Sequence, residues 1–294
     1  AVMYPVAASD AKIAEAAKTT KMLIKKHKVE VIAIGNGTAG RETEMFAVEV
    51  LRELAAEGVQ VEYMVVNEAG ASVYSASKLA AQEFPQFDVN LRSAVSIARR
   101  MQDPLAELVK IDPKAVGVGQ YQHDMPPARL AAELDGVVED CVNTVGVELN
   151  TASAPLLERV AGLTAATAKN IVAKREADGP FKARRELLKV AKLGPKAFEQ
   201  CAGFLRVAEA KNRLDTTAVH PESYEAAEKL LEKCGFSQKD IGTEAIAALP
   251  EKAKEIGYVK LAEELGIGRP TLEDIIEELL RPGRDIRDTL PPPI

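Results

Sequence analysis

Two stretches thirty residues apart repeat one pattern of apolar positions. Leu157, Val160, Ala161 and Leu163 recur as Leu187, Val190, Ala191 and Leu193. Each copy is a short apolar-periodic segment, a tight turn and a second segment at helical spacing. The second segment carries Ala168, Ile171 and Val172 in the first copy, and Phe198, Cys201 and Ala202 in the next. Ahead of this duplication the pattern alternates between helix and strand. Ala11–His27 has helical periodicity, Val29–Ile34 reads as a buried strand, Glu42–Ala56 as a helix and Val59–Val66 as a second strand. A long helical stretch, Arg92–Val109, follows. Beyond the duplication, residues 211–290 are helical. Pro221–Lys233 opens after His220 and stops at Gly235, and Thr271-Leu-Glu-Asp274 resembles a capping box that starts Leu272–Leu280.

The duplicated unit has the layout of a tandem helix-hairpin-helix motif. Its turns aim backbone N–H groups and a helix N-terminus at whatever lies in front, which suits a phosphate. Such a motif favours Gly at two alternate turn positions. The first hairpin has Gly162, Leu163 and then Thr164; the second has Lys192, Leu193 and then Gly194. Thr164 can cap the following helix, and Gly194-Pro195 suits a helix start. Flanked by Lys192 and Lys196, the second hairpin is the better phosphate site, with Lys169 at the start of the other helix.

Charge changes the picture further. The chain is acidic overall, net −6, which by itself argues against nucleic acid. Yet residues 141–211 carry 12 Lys/Arg against 7 Asp/Glu, while residues 1–140 and 212–294 are net −5 and −6. The excess comes mainly from Lys169, Lys174, Arg175, Lys182, Arg184, Arg185, Lys189, Lys192 and Lys196. A phosphate backbone, read without strong sequence preference, is the ligand this distribution fits.

Gly35-Asn-Gly-Thr-Ala-Gly40 is a G-x-G-x-x-G string between a strand and a helix, with Glu62 some twenty residues on. In a dinucleotide site that acid ends the second strand, whereas Tyr63–Val66 still follow Glu62. The loop is expected to be a plain βα turn, with no dinucleotide and no other cofactor. Glu68 ends the second strand and Asp103 follows a helix, as two of the carboxylates of an RNase H-like two-metal nuclease would. A third, strand-borne Asp is missing, so Glu68 and Asp103 are vestigial candidates, no catalytic or metal site is expected, and the chain reads as a non-enzyme. Three separated cysteines, three isolated histidines and the lack of a long apolar run fit a cytoplasmic protein without disulfides or a membrane span.

Several strings are distinctive. Ile34-Gly-Asn-Gly-Thr-Ala-Gly-Arg-Glu-Thr43, Val66-Asn-Glu-Ala-Gly-Ala-Ser-Val-Tyr-Ser-Ala-Ser77, Val138-Glu-Asp-Cys-Val-Asn-Thr-Val-Gly-Val-Glu-Leu-Asn-Thr-Ala-Ser153 and Arg281-Pro-Gly-Arg-Asp-Ile-Arg-Asp288 resemble the Tex family of bacterial transcription accessory proteins. The resemblance implies a YqgF-type α/β RNase H-like domain, truncated here, in residues 1–125. A connecting helix and tandem helix-hairpin-helix would occupy 126–210, and an all-α helical domain with a C-terminal linker 211–290. The missing strands, the missing RNA-binding OB-fold and the Pro291–Pro293 tail make the chain read as an internal part of that order. The implied function is binding of RNA and/or DNA backbone in transcription, with RNA polymerase or another transcription protein as a further partner. A structure-specific nuclease using Glu68 and Asp103, and a scaffold whose hairpins only pack, are the alternative readings.

Overall fold

The computed structural model describes residues 8–117 and 119–281. The Pro291–Pro293 linker and most of the Arg281–Asp288 string lie outside them. Two compact units divide within a helix, between Ala131 and Ala132.

The first unit is α/β. Helix α1 (Asp10–His27) ends on Lys28, whose φ of +51° turns the chain into β1 (Val31–Gly35). Helix α2 (Gly40–Ala56) then leads to β2 (Glu62–Val66), which pairs parallel with β1 from Val31 opposite Glu62 to Gly35 opposite Val66. Parallel neighbours need such a helical crossover. Ile24, Val50 and Leu54 are buried with Val29, Ile32 and Val61 around them, and the Lys21–Glu53 and Lys25–Glu57 ion pairs tie α1 to α2. Short helices α3 (Ala71–Ser75) and α4 (Lys78–Glu83) precede α5 (Val89–Gln102), whose N-cap is Asp88. The single helix expected over Arg92–Val109 is broken. Asp103, at φ −151° and ψ 91°, leaves the helical region, and α6 (Pro104–Leu108) starts anew. A residue before proline is disfavoured in helical torsions, and the proline lacks the N–H to continue α5. A further turn, α7 (Pro113–Val116), follows, and α8 (Pro127–Val145) holds the boundary.

In the second unit, β3 (Val147–Glu148) and β4 (Leu205–Arg206) pair parallel and bracket the repeat. Between them run α9 (Ala154–Leu157), α10 (Ala165–Asp178), a 3₁₀ turn (Arg184–Lys189) and α11 (Pro195–Cys201). Residues 212–281 form α12 (Tyr224–Lys233), α13 (Leu249–Ile256), α14 (Tyr258–Leu265) and α15 (Arg269–Leu280). Their core is Leu230, Leu231, Leu261, Leu272, Ile275 and Leu279, each worth about 1.5–3 kcal/mol when fully withdrawn from water. Pro221–Ser223 is a 3₁₀ turn rather than the first turn of α12, and Gly235, at φ +80°, ends that helix as expected. Helix α15 starts three residues before the expected Leu272: Gly268 is its N-cap and Thr271 lies inside the first turn. Pro270 fits there because first-turn N–H groups have no intrahelical acceptor.

Candidate nucleic-acid interface

Both hairpins close by the same backbone device. Gly162 and Lys192 take left-handed φ values of +79° and +66°. The next residues, Leu163 and Leu193, are buried and donate their N–H groups back to Val160 and Val190 carbonyls at 3.0 and 3.1 Å. The third residue is an extended N-cap in each, Thr164 at φ −120° and Gly194 at φ −83°. Asn143 accepts the Ala161 N–H at 3.1 Å, and the Asn170 amide donates to the Ala191 carbonyl at 2.7 Å, so each turn is held by a neighbouring helix.

The turns differ in what they leave unused. Thr164 and Thr167 cap each other: the Thr164 N–H donates to the Thr167 hydroxyl at 2.7 Å, and the Thr167 N–H donates to the Thr164 hydroxyl at 3.3 Å. Gly162 is packed against α11, where a Cβ would stand 2.6 Å from Gln200 Cβ and 3.1 Å from the Ala197 carbonyl oxygen. Gly194 has open space in front of it and no side-chain cap. Among the described residues nothing accepts the N–H groups of Gly194, Lys196 or Ala197.

The basic residues sort themselves likewise. Lys174 pairs with Asp178 at 2.5 Å, and the Arg175 guanidinium donates to the Leu149 and Ala152 carbonyls, both at 2.9 Å. Arg184 does not belong to a solvated face at all, contrary to its place in the charge count. It is 1 % exposed, donating to the carbonyls of Leu205, Leu214, Thr217 and Val219 and to the Tyr224 hydroxyl. The Arg184 N–H and the Tyr224 hydroxyl both donate to Asp215, at 3.1 and 2.5 Å. A buried cation is tolerated because its donors are met and a carboxylate shares the enclosure. Lys169, Lys182, Arg185, Lys189, Lys192 and Lys196 are exposed, and none of their side chains is paired with a carboxylate among the described residues, although the Lys182 backbone N–H donates to Glu186 at 2.8 Å. Four of these six, Arg185, Lys189, Lys192 and Lys196, lie on the second hairpin. Thirty residues earlier stand Pro155, Arg159, Gly162 and Ala166, and Arg159 is paired with Asp135 at 2.7 Å.

The candidate carboxylates of the α/β unit are separately employed. Asp103 is exposed and caps α6, accepting the Ala106 N–H at 3.0 Å. The Glu68 carboxylate lies over the glycine loop, where a Cβ on Gly35 or Gly37 would collide with it. Asn36 fixes the approach: its side chain accepts the Glu68 N–H and its own N–H donates to the Val66 carbonyl, both at 3.1 Å. The glycines thus serve close approach of an internal acid, and Gly40 the close approach of the Gly35 carbonyl, 2.8 Å from where its Cβ would be. Glu62 is exposed at the first position of β2, at the wrong end of the strand for a ribose. Among the described residues no group of three or more His, Cys, Asp and Glu is placed to hold a metal ion. No described helix is long and apolar enough to cross a membrane.

Sequence reasoning missed a third turn of the same form. Gly266 has φ +69°, Ile267 follows, and Gly268 is the extended N-cap of α15 at φ −72° and ψ 152°. Leu265-Gly-Ile-Gly268 carries both turn glycines and was legible as such. The acidic surroundings concealed it: Arg269, the first residue of α15, pairs with Glu273 at 2.9 Å.

Comparison with known proteins divides the chain in the same order. The Tex protein YqgF-like domain family matches residues 1–102, the helix-hairpin-helix motif family residues 142–206, and the HHH domain family residues 212–287. The chain is 57 % identical to Protein YhgF of Escherichia coli, over 93 % of this chain and 34 % of that protein. It is 55 % identical to the Transcriptional accessory protein Tex of Neisseria gonorrhoeae, over 92 % of this chain and 34 % of the relative. It is 40 % identical to the human S1 RNA-binding domain-containing protein 1, over 90 % of this chain and 32 % of the relative. The chain thus spans about a third of the length of these curated relatives.

Proposed function

The chain belongs to the Tex family over the stretch it spans, a YqgF-like domain followed by helix-hairpin-helix domains, and on that premise we propose that it binds the phosphate backbone of RNA or DNA, in transcription, without strong sequence preference. The observation that carries this reading is the second hairpin. An uncapped Gly194 turn stands among unpaired Arg185, Lys189, Lys192 and Lys196, whereas in the first copy Thr164 and Thr167 cap each other at the turn, Arg159 is paired with Asp135, and the unpaired cation is Lys169. Phosphate oxygens meet unpaired N–H groups and cations there without reference to base identity. Of the candidate residues, Lys192, Leu193, Gly194 and Lys196 form the principal contact. Lys169 adds charge, while Gly162, Leu163 and Thr164 mainly hold the first hairpin against it. The α/β unit is read as non-catalytic, since Asp103 is committed to a cap and Glu68 to the glycine loop.

Titration of the chain with labelled single- and double-stranded DNA and RNA at several salt concentrations tests the reading. With about four phosphates neutralised, log affinity should fall against log salt with a slope of about −3 to −4. Lys192→Glu with Lys196→Glu should weaken binding to all sequences alike and flatten that slope. Gly194→Val should weaken binding with the fold retained, because φ −83° and ψ 175° suit any residue. A double Glu variant that binds like the parent at every salt would move the scaffold reading ahead.

A further inference from the structure

The second hairpin also carries an apolar residue where its twin is charged. In a 3₁₀ turn, side chains three apart share a face. Arg184 and Leu187 point inward, 1 % and 0 % exposed, so Arg185 and Leu188 point out together. Leu188 is 47 % exposed, between Arg185 and Lys189 in sequence and a turn away from Lys192. Its counterpart in the first hairpin is Glu158, also exposed. Lone exposed leucines are common and need no explanation. Here, however, the duplication supplies a comparison. In the copy whose Arg159 is paired with Asp135 the position is acidic, and in the copy where the corresponding Lys189 is unpaired, with Arg185 and Lys192 close by in sequence, it is aliphatic. An anionic polymer is the occupant that the cations favour, and an aliphatic side chain meets such a polymer best where a base pair step is open. The mount is stiff as well. Arg184 ties the turn to four carbonyls and a hydroxyl, and a wedge needs such anchorage to hold against restacking.

We propose that Leu188 is a wedge that enters a nucleic-acid duplex at a step that opens easily, so that the chain prefers nicked or mismatched duplex to an unbroken one. The proposal rests on the second hairpin being the nucleic-acid contact. In an unbroken duplex both backbones hold the step closed against the side chain, whereas a nick removes one of these restraints and a mismatch weakens the pairing, so the step opens more readily.

Fluorescence anisotropy with one duplex sequence, unbroken, nicked at its centre or carrying one central mismatch, tests it on the full chain. The parent should bind the nicked form about tenfold more tightly than the unbroken one. Leu188→Ala should bring that ratio close to one and leave the salt slope unchanged, while Leu188→Met should keep it. A 2-aminopurine beside the nick should brighten with the parent and not with Leu188→Ala. An equal loss by Leu188→Ala on all duplexes, or a parent with no preference, overturns the wedge. If Lys192→Glu with Lys196→Glu still weakens binding in that case, only the wedge falls. If the double Glu variant also binds normally, the reading of the hairpin falls with it.

Discussion

Gly162 and Lys192 hold the same left-handed backbone, φ +79° and +66°, at corresponding places in two copies of one hairpin. Their surroundings are opposite. A Cβ on Gly162 would press on Gln200 and the Ala197 carbonyl of α11, whereas Lys192 carries its own Cβ at an exposed turn. One turn has been given to packing, and the other has been left to face solvent with a charge on it.

This separation makes stability and binding divisible. Gly162→Ala should cost about 2–3 kcal/mol, from left-handed strain and the clash with α11. Lys192→Gly should change stability by less than about 1 kcal/mol, since relief of left-handed strain offsets the added freedom of the unfolded chain. It should nevertheless weaken nucleic-acid binding. Urea unfolding beside anisotropy titrations reads both, and a Lys192→Gly protein that binds like the parent would argue against this turn as a contact.

Arg184 should be among the most costly side chains to remove. Arg184→Ala leaves the carbonyls of Leu205, Leu214, Thr217 and Val219 and the Tyr224 hydroxyl buried without the donor that meets them. A loss above about 3 kcal/mol is expected in chemical denaturation. Arg184→Lys should recover little, because one ammonium cannot span acceptors that a planar fork reaches together.

The glycine loop yields a contrast in tolerance. At Gly37 only the mobile end of Glu68 stands in the way of a methyl group, so Gly37→Ala should cost less than about 1 kcal/mol. At Gly40 the obstacle is the Gly35 carbonyl, which is backbone, and Gly40→Ala should destabilise more than Gly37→Ala in thermal melts. Millimolar NAD, NADP or FAD should leave the parent's melting temperature unchanged, and a saturable rise would overturn the assignment of this loop as an internal seat.

Asp103 should behave as a cap. Asp103→Ala should lose about 1 kcal/mol and Asp103→Asn much less, since asparagine caps nearly as well. With Mg²⁺ or Mn²⁺, neither parent nor variant should cleave junction, duplex, hybrid or single-stranded substrates. Cleavage by the parent that vanishes in Glu68→Gln would assign the α/β unit a catalytic role.

Thiol labelling should be limited to one cysteine in the native chain. Burial pushes the Cys201 thiol up to about 12 and raises that of Cys234, while Cys141 is exposed. The thiolate is the reactive form, so a raised value leaves almost none of it at neutral pH. One equivalent of reagent should be consumed quickly, and the other two only as the chain unfolds.

Periodicity and turn chemistry by themselves determined the α/β order of the first region, the duplicated hairpins and the place of the charge excess. Apolar spacing is a local property, and the thirty-residue offset repeats it. Lys192-Leu-Gly194 was legible as the more open turn because glycine and its lysine neighbours are local too. Leu265-Gly-Ile-Gly268 carries the same local turn signal, but its surroundings are acidic and Arg269 is paired with Glu273, so no charge excess marks it. What local pattern could not decide was which polar groups have partners. Arg184 and Arg185 are adjacent and chemically alike, yet one is enclosed by carbonyls up to thirty-five residues away and the other meets solvent. Glu68 likewise owes its place to glycines that precede it by more than thirty residues. Partner atoms come from distant parts of the chain, and only the folded backbone sets the distances that decide whether a charge is spent inside the protein or left for a ligand.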